Sequence, residues 1–194
     1  MSGWVLTGAG AAGYLIGSLS PATILARRRG LDLAAMGSGN PGATNAGRVL
    51  GRRVGVLVGL LDVAKGAVPA ACFGLLQYEA GLLAGFAAVL GHVTSPYLRG
   101  RGGRGVATTA GAVLGSQPWL SLMLLAVWTA VVAVSRRVAL ASVLAAVALP
   151  VGAASLGGRG WTLVWAVALA LVVILRHWPN LRTWAGKQRT GRRR

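Results

Sequence analysis

The stretch 138-VALASVLAAVALPVGAASLG-157 carries no ionisable side chain and shows no polar stripe at helical spacing. A helix on the surface of a soluble domain would show one; a helix apolar all round belongs inside a large core or in lipid. The hydrocarbon core of a bilayer is ~30 Å thick and takes about 20 such residues to cross as helix. Working outward, further apolar stretches lie at about 3–26, 54–78, 80–97, 106–118, 119–135 and 161–175. They occupy most of the 194 residues and leave no room for a soluble domain of ordinary size. Lipid offers the backbone no hydrogen-bond partner, so each stretch is expected to be helical. The sequence therefore predicts an all-α polytopic membrane bundle of about seven transmembrane helices, forming one domain over 1–194.

The charges are lopsided: 20 Lys plus Arg against 3 Asp plus Glu, a net charge of +17. Such a balance raises the thought of nucleic acid. Here the basic residues punctuate the apolar runs, so membrane lipid is the expected partner and nucleic acid is not. Eighteen of the 20 follow spans 1, 3, 5 and 7; only Arg159 falls on the other face, and Lys65 lies inside a span. Basic loops are retained on the cytoplasmic side. The expectation is a multi-pass protein of the bacterial cytoplasmic membrane, N-terminus outside and C-terminus in the cytoplasm. Residues 106–135 would then cross twice on ~22 Å of helix per crossing, so five full spans plus a re-entrant pair is the alternative.

Smaller signs agree. Trp119 and Trp161 near one boundary, and Trp178 and Trp184 near the other, fit interfacial anchors. Gly8, Gly10, Gly13 and Gly17 suit close helix approach. No Lys or Arg precedes the first apolar run, which predicts a retained helix and not a signal peptide. The single cysteine, Cys72, excludes an internal disulfide and a cysteine metal cluster, and reads as packing.

Three loops carry the polar chemistry. In 37-GSGNPGATNAGR-48, glycines expose backbone N–H groups, Ser38, Asn40, Thr44 and Asn45 add neutral donors, and Arg48 supplies a fork-shaped charge. Nests and helix N-termini of this kind hold phosphate; the bland reading is a turn, since Gly and Asn are turn residues. The phosphate reading is preferred because donors and an Arg coincide with no acid among them, with Gly39, Gly42 and the nearby Arg52 in the set. In 91-GHVTSPYLRGRGGRGVAT-108, Gly102, Gly103, Arg104 and Gly105 form a second anion cradle running into a helix that bears Thr108. The Lys-Ser/Thr ending of a nucleotide loop is missing, so ATP is not implied. His92 reads as a base or, by preference, as a capping residue at the interface. In 176-RHWPNLRTWAGKQ-188, His177 and Asn180 are spaced to share a helix face, although Pro179 argues against continuous helix there.

Asp62 and Lys65 lie roughly 12–17 Å inside span 2 by helical rise, where charge must pair or function; at i, i+3 they suit a structural ion pair as well as a catalytic one. Asp32 caps, orients an Arg or acts as a base. The basic tail suits anionic lipid. No metal site and no cofactor is expected, because no cluster of ligating side chains is visible.

With GSGNPGATN…R, LDVAKG, GH…P…GGRGVAT and a terminal H..N.R in order, the chain resembles the bacterial acyl-phosphate:glycerol-3-phosphate acyltransferase family from 14-YLIGSLSPA-22 to the third motif. That resemblance implies seven helices, a site open to the cytoplasm, and acyl transfer from acyl phosphate to glycerol 3-phosphate. The products would be 1-acylglycerol 3-phosphate (lysophosphatidic acid) and phosphate, at the first step of phospholipid biosynthesis. It implies roles for Ser38, Asn40, Gly42, Thr44, Asn45 and Arg48, for Gly102, Gly103 and Gly105, and for His177 and Asn180. Ser38, Arg48, His177 and Asn180 are the expected catalytic set. Two departures stand out: Arg104 replaces the usual Lys, and Gln188 the usual Glu. An acyl phosphate is already activated, so no nucleophilic side chain is needed; His177 is the best protein base, with a substrate phosphate as its rival. A membrane anion or phosphate transporter, or a catalytically weakened paralogue, is the alternative reading.

Overall fold

The computed structural model describes the backbone of residues 3–191 and the side chains of residues 3–179. Its regular elements are all helical: α1 (Gly3–Ser18), α2 (Pro21–Arg27), α3 (Ala43–Leu50), α4 (Arg52–Leu76), α5 (Tyr78–Thr94), a 3-10 turn (Pro96–Leu98), α6 (Val106–Ser116), α7 (Pro118–Ser135), α8 (Val138–Ser155) and α9 (Trp161–Gly191). Six segments are long and apolar enough to cross a membrane, counting α1 and α2 as one; α6 is shorter.

The first apolar run breaks at 19-LSP-21. Ser20 caps α2 by accepting from the Thr23 N–H at 3.3 Å, and Pro21 opens the helix, the usual start signal. The Leu19 and Ser18 carbonyls lose their helical donors and are recovered from elsewhere: Lys65 Nζ donates to the first and Ser95 Oγ to the second, each at 2.7 Å. The break thus ties α1 to α4 and to the end of α5.

α5 is the hub. It packs on α1, α4, α6 and α9, and 61% of its span is buried, against 6% for the lipid-facing α7. The close seams are built on glycine. A Cβ at Gly13 or Gly17 would overlap the Ala84 or Ala88 carbonyl of α5, and one at Gly66 would overlap the Thr108 carbonyl of α6. Such small-residue contacts replace the hydrophobic drive that lipid removes.

The sequence expects both 106–118 and 119–135 to be short; only the first is. α7 has 18 residues and α6 only 11, about 16 Å of rise for α6. The shortness has a cause: the loop before α6 dips into the bundle, so that Gly105 lies against Val89 and Val93 of α5. From there α6 runs antiparallel to α5 until Gln117 Nε2 reaches the Tyr78 hydroxyl at 2.6 Å, at the opposite end of α5. A second correction concerns Pro179, which lies inside a continuous α9. A third concerns Cys72, which is exposed on α4 and not packed.

Candidate active site

The first loop folds around Asn45. This side chain, 1% exposed in the first turn of α3, accepts from the Ser38 N–H at 2.8 Å and donates to the carbonyls of Met36 at 3.0 Å and Leu33 at 3.5 Å. Its oxygen and both amide hydrogens are engaged within the loop, so Asn45 shapes the loop from below. The Gly39 N–H donates to the Met36 carbonyl and the Gly42 N–H to that of Asn40, which commits two expected phosphate donors to turns. Loop backbone shielded from water must pair its own polar groups. Asp32 accepts from the Ala34 N–H at 2.9 Å, a local turn cap. What faces outward is Ser38, Thr44 and Arg48, with Asn40 partly buried. The first N–H groups of α3 receive no side-chain cap from Gly42 and stay open to an acceptor.

The second loop is strapped on both sides. The Gly102 and Gly103 N–H groups donate to the Val93 and His92 carbonyls at 3.1 and 3.0 Å. Their own carbonyls accept from Arg176 of α9, through Nη2 at 2.7 Å and Nε at 3.2 Å. A Cβ at Gly102 would overlap the His92 carbonyl, and one at Gly103 the His92 ring. These glycines therefore permit close approach, and their N–H groups are not a cradle. The loop's outward chemistry is Arg104 together with the N-terminus of α6, where Gly105 adopts φ 82° and supplies no cap. Thr108, in that first turn, is fully buried with an unpartnered hydroxyl. His92 is 7% exposed and sits under Gly103; the expected interfacial capping role is replaced by burial, because α5 is covered by the loop at this point.

Guanidiniums from three elements act on one another here. Arg48 of α3 and Arg176 of α9 act on Arg104, and burial together with these like charges pushes the Arg104 pKa down from its ordinary value. Arg52 is exposed at the start of α4 and is not among the charges that weigh most on Arg104. His177, 2% exposed, also feels the charges of Arg104 and Arg176. Its Nδ1 is 2.8 Å from the Val173 carbonyl. A carbonyl only accepts, so in the neutral ring Nδ1 carries the hydrogen and Nε2 keeps a free lone pair. The side chains of Asn180 and Gln188 lie outside the described residues.

Beneath this cluster, Asp62 Oδ1 is 3.0 Å from Lys65 Nζ and 3.6 Å from His92 Nδ1. Lys65 also donates a hydrogen bond to the Leu19 carbonyl across the α1–α2 break. The i, i+3 pair thus links α4 to that break through Lys65 and to α5 through Asp62 and His92.

A family model described as glycerol-3-phosphate acyltransferase matches residues 8–186. This chain belongs to that family. The glycerol-3-phosphate acyltransferase of Geobacter sulfurreducens is 40% identical over 174 residues, 89% of this chain and 90% of the relative. That of Thioalkalivibrio sulfidiphilus is 42% identical over 173 residues, 87% of this chain and 85% of the relative. The crystal structure of PlsY (YgiH), an integral membrane glycerol 3-phosphate acyltransferase in its glycerol 3-phosphate form, superposes with a TM-score of 0.90 at 32% identity, covering 94% of this chain and 92% of that one. Its lysophosphatidic acid form gives 0.88. The chain is accordingly an integral-membrane acyltransferase, and the transporter reading is set aside.

In this acyltransferase the sequence marked the loops by their polar residues and left out the side chains that brace them. In the sequence Arg176 reads only as one of the basic residues that set orientation; its adjacency to His177 is the available signal. Lys65 carried its signal in being intramembrane, but nothing in the sequence paired it with Leu19.

Proposed function

We propose that the chain transfers a fatty acyl group from acyl phosphate to the 1-hydroxyl of glycerol 3-phosphate, at a site facing the cytoplasm. The carrying observation is that Arg176 grips the loop that bears Arg104 through two hydrogen bonds, while Arg48 and Arg176 both act on Arg104 as like charges. Like charges crowd at a cost that an anion removes, and both substrates bring phosphate. Ser38, Thr44 and Asn40, with the open N-termini of α3 and α6, add neutral donors around that centre.

The hydroxyl oxygen attacks the acyl carbonyl carbon and forms the ester bond. The bond from that carbon to the anhydride oxygen breaks, and inorganic phosphate leaves with the electron pair. The hydroxyl proton goes to Nε2 of His177, or to an oxygen of the departing phosphate. Negative charge grows on the carbonyl and phosphate oxygens, where Arg48 and Arg104 stabilise it. Arg104, partly buried among these groups, takes the phosphate contact that the family usually gives to Lys; its fork offers two hydrogen bonds where an ammonium offers a point charge. Positioning and charge supply the rate, since the donor needs no further activation.

The cytoplasmic orientation is supported by the sequence, in which 18 of the 20 basic residues, Arg48, Arg104 and Arg176 among them, follow spans 1, 3, 5 and 7. The purified protein in detergent tests the donor. Acyl phosphate with glycerol 3-phosphate is expected to give lysophosphatidic acid and phosphate one to one, unchanged by EDTA. Turnover with acyl-CoA alone, or activity lost to EDTA and restored by a divalent ion, would overturn the reading.

A further inference from the structure

The end of the bundle away from the arginine cluster carries two adjoining cavities that the acyl transfer does not use. One, of about 210 Å³, lies between the start of α5, the α6–α7 corner and the α8–α9 loop, lined by Tyr78, Gln117, Arg159 and Thr162 among others. Its polar wall is preorganised: the Tyr78 hydroxyl bonds Thr162 Oγ1 at 2.8 Å and accepts from Gln117 Nε2 at 2.6 Å. The other, of about 290 Å³, is a groove along α4, α5 and α6 lined by Ala71, Gly74, Gly81 and Ser116, and it shares Tyr78 with the first. The Ser116 hydroxyl is buried there without a partner.

The charge at this end is simple. Arg159 is the basic residue here among the described residues, is exposed, and no ion pair reaches it. Glu79 lies nearby but approaches Gln77 at 3.4 Å and does not line the cavity. Trp119 and Trp161, 77% and 67% exposed, mark the level of the lipid headgroups. A polar, cationic mouth at headgroup depth that opens on an apolar groove has the profile of one phospholipid. The groove is closed off from the reaction: Gly66, Gly111 and Gly115 bring α4 and α6 into backbone contact along the way to Asp62.

We propose that these cavities together hold one anionic phospholipid of the leaflet opposite the active site. Its phosphate meets Arg159 and the Tyr78–Gln117–Thr162 wall, and one acyl chain lies in the groove against Ala71 and Gly74. The apolar groove suits an acyl chain and the cationic, hydrogen-bonding mouth suits a phosphate. The occupant is a structural lipid and not a reactant.

Native mass spectrometry of the delipidated full-length protein, titrated with phosphatidylglycerol or phosphatidylcholine, tests this. Wild type is expected to retain one phosphatidylglycerol in preference to phosphatidylcholine. Arg159→Gln removes the charge, and Ala71→Phe fills the groove at an exposed position; each should weaken that retention about fivefold, the scale of one exposed charge contact. Both variants should keep parental acyl transfer. Equal retention by wild type and Arg159→Gln, or no preference between the two lipids, would overturn the proposal. So would acyl transfer that falls in step with lipid loss, since the groove would then belong to the reaction.

Discussion

Arg176 donates to the Gly102 carbonyl at 2.7 Å from the far end of the chain, and its Nε reaches the next carbonyl at 3.2 Å. Through this double contact α9 grips the loop whose next residue is Arg104. The glycine pair cannot move down, because His92 lies beneath it, and cannot lift while Arg176 holds it. The Arg104 guanidinium is therefore aimed by one from another element.

Replacing Arg176 by Lys keeps the charge and loses the second hydrogen bond. A hydrogen bond from a charged group contributes about 1.5–3 kcal/mol, so kcat should fall roughly tenfold or more, and Arg176→Ala should fall further. Amide exchange across 100–105 should quicken in step. Loss of kcat with parental exchange in that loop would place Arg176 on the substrate instead.

His177 separates the two proton acceptors. If its Nε2 takes the hydroxyl proton, His177→Asn should lower kcat by about 100- to 10,000-fold, the usual worth of a positioned base, with little change in KM for glycerol 3-phosphate. If the leaving phosphate takes it, the loss should stay within about tenfold and reflect packing of a buried ring. Steady-state kinetics on variants shown to be folded in detergent read the difference.

The bundle was legible because lipid leaves an apolar span one conformation. The break at Ser20–Pro21 is hidden in the sequence, although both residues are helix-start signals, because the apolar run continues through it from residue 3 to 26. The site was half legible. An amide such as Asn45 reads alike as a ligand donor or a loop clamp, and only burial and three internal contacts decide. Gly102 and Gly103 read alike as an anion nest or as room for a neighbour; the neighbour, His92, lies ten residues back on another element. Spacing cannot report contacts of that kind.

Orientation has a direct check. Accessibility tags near 40, 101 and 136 and a reporter after Arg194 should all report cytoplasm, and a tag near 158 the outside. The loop at 101 lies by His92 and that at 158 by Tyr78, at opposite ends of α5, so the two tags are expected to differ. A tag at 40 or 101 that reports the outside would remove both the topology and a cytoplasmic site.

The first loop contains the sharpest contrast, between Arg48 and Asn45, three residues apart on α3. Arg48 is exposed and acts on Arg104; Asn45 is buried and acts on the loop. Arg48→Ala should leave stability near parental and slow turnover about 30- to 1,000-fold, since a charge contact that tightens as phosphate departs is worth ~2–4 kcal/mol. Arg48→Lys should recover part of it, because an ammonium cannot reproduce the fork. Ser38→Ala should cost less than Arg48→Ala, a neutral donor being roughly half as strong as a charged one. Asn45→Ala should behave differently. It strands the Ser38 N–H and two carbonyls, at about 1–3 kcal/mol for each group shut from water, so thermal stability in detergent falls before any kinetic effect is read. Arg48→Ala that stays folded and acylates glycerol 3-phosphate at the parental rate would leave the loop a turn, with no phosphate held by Arg48.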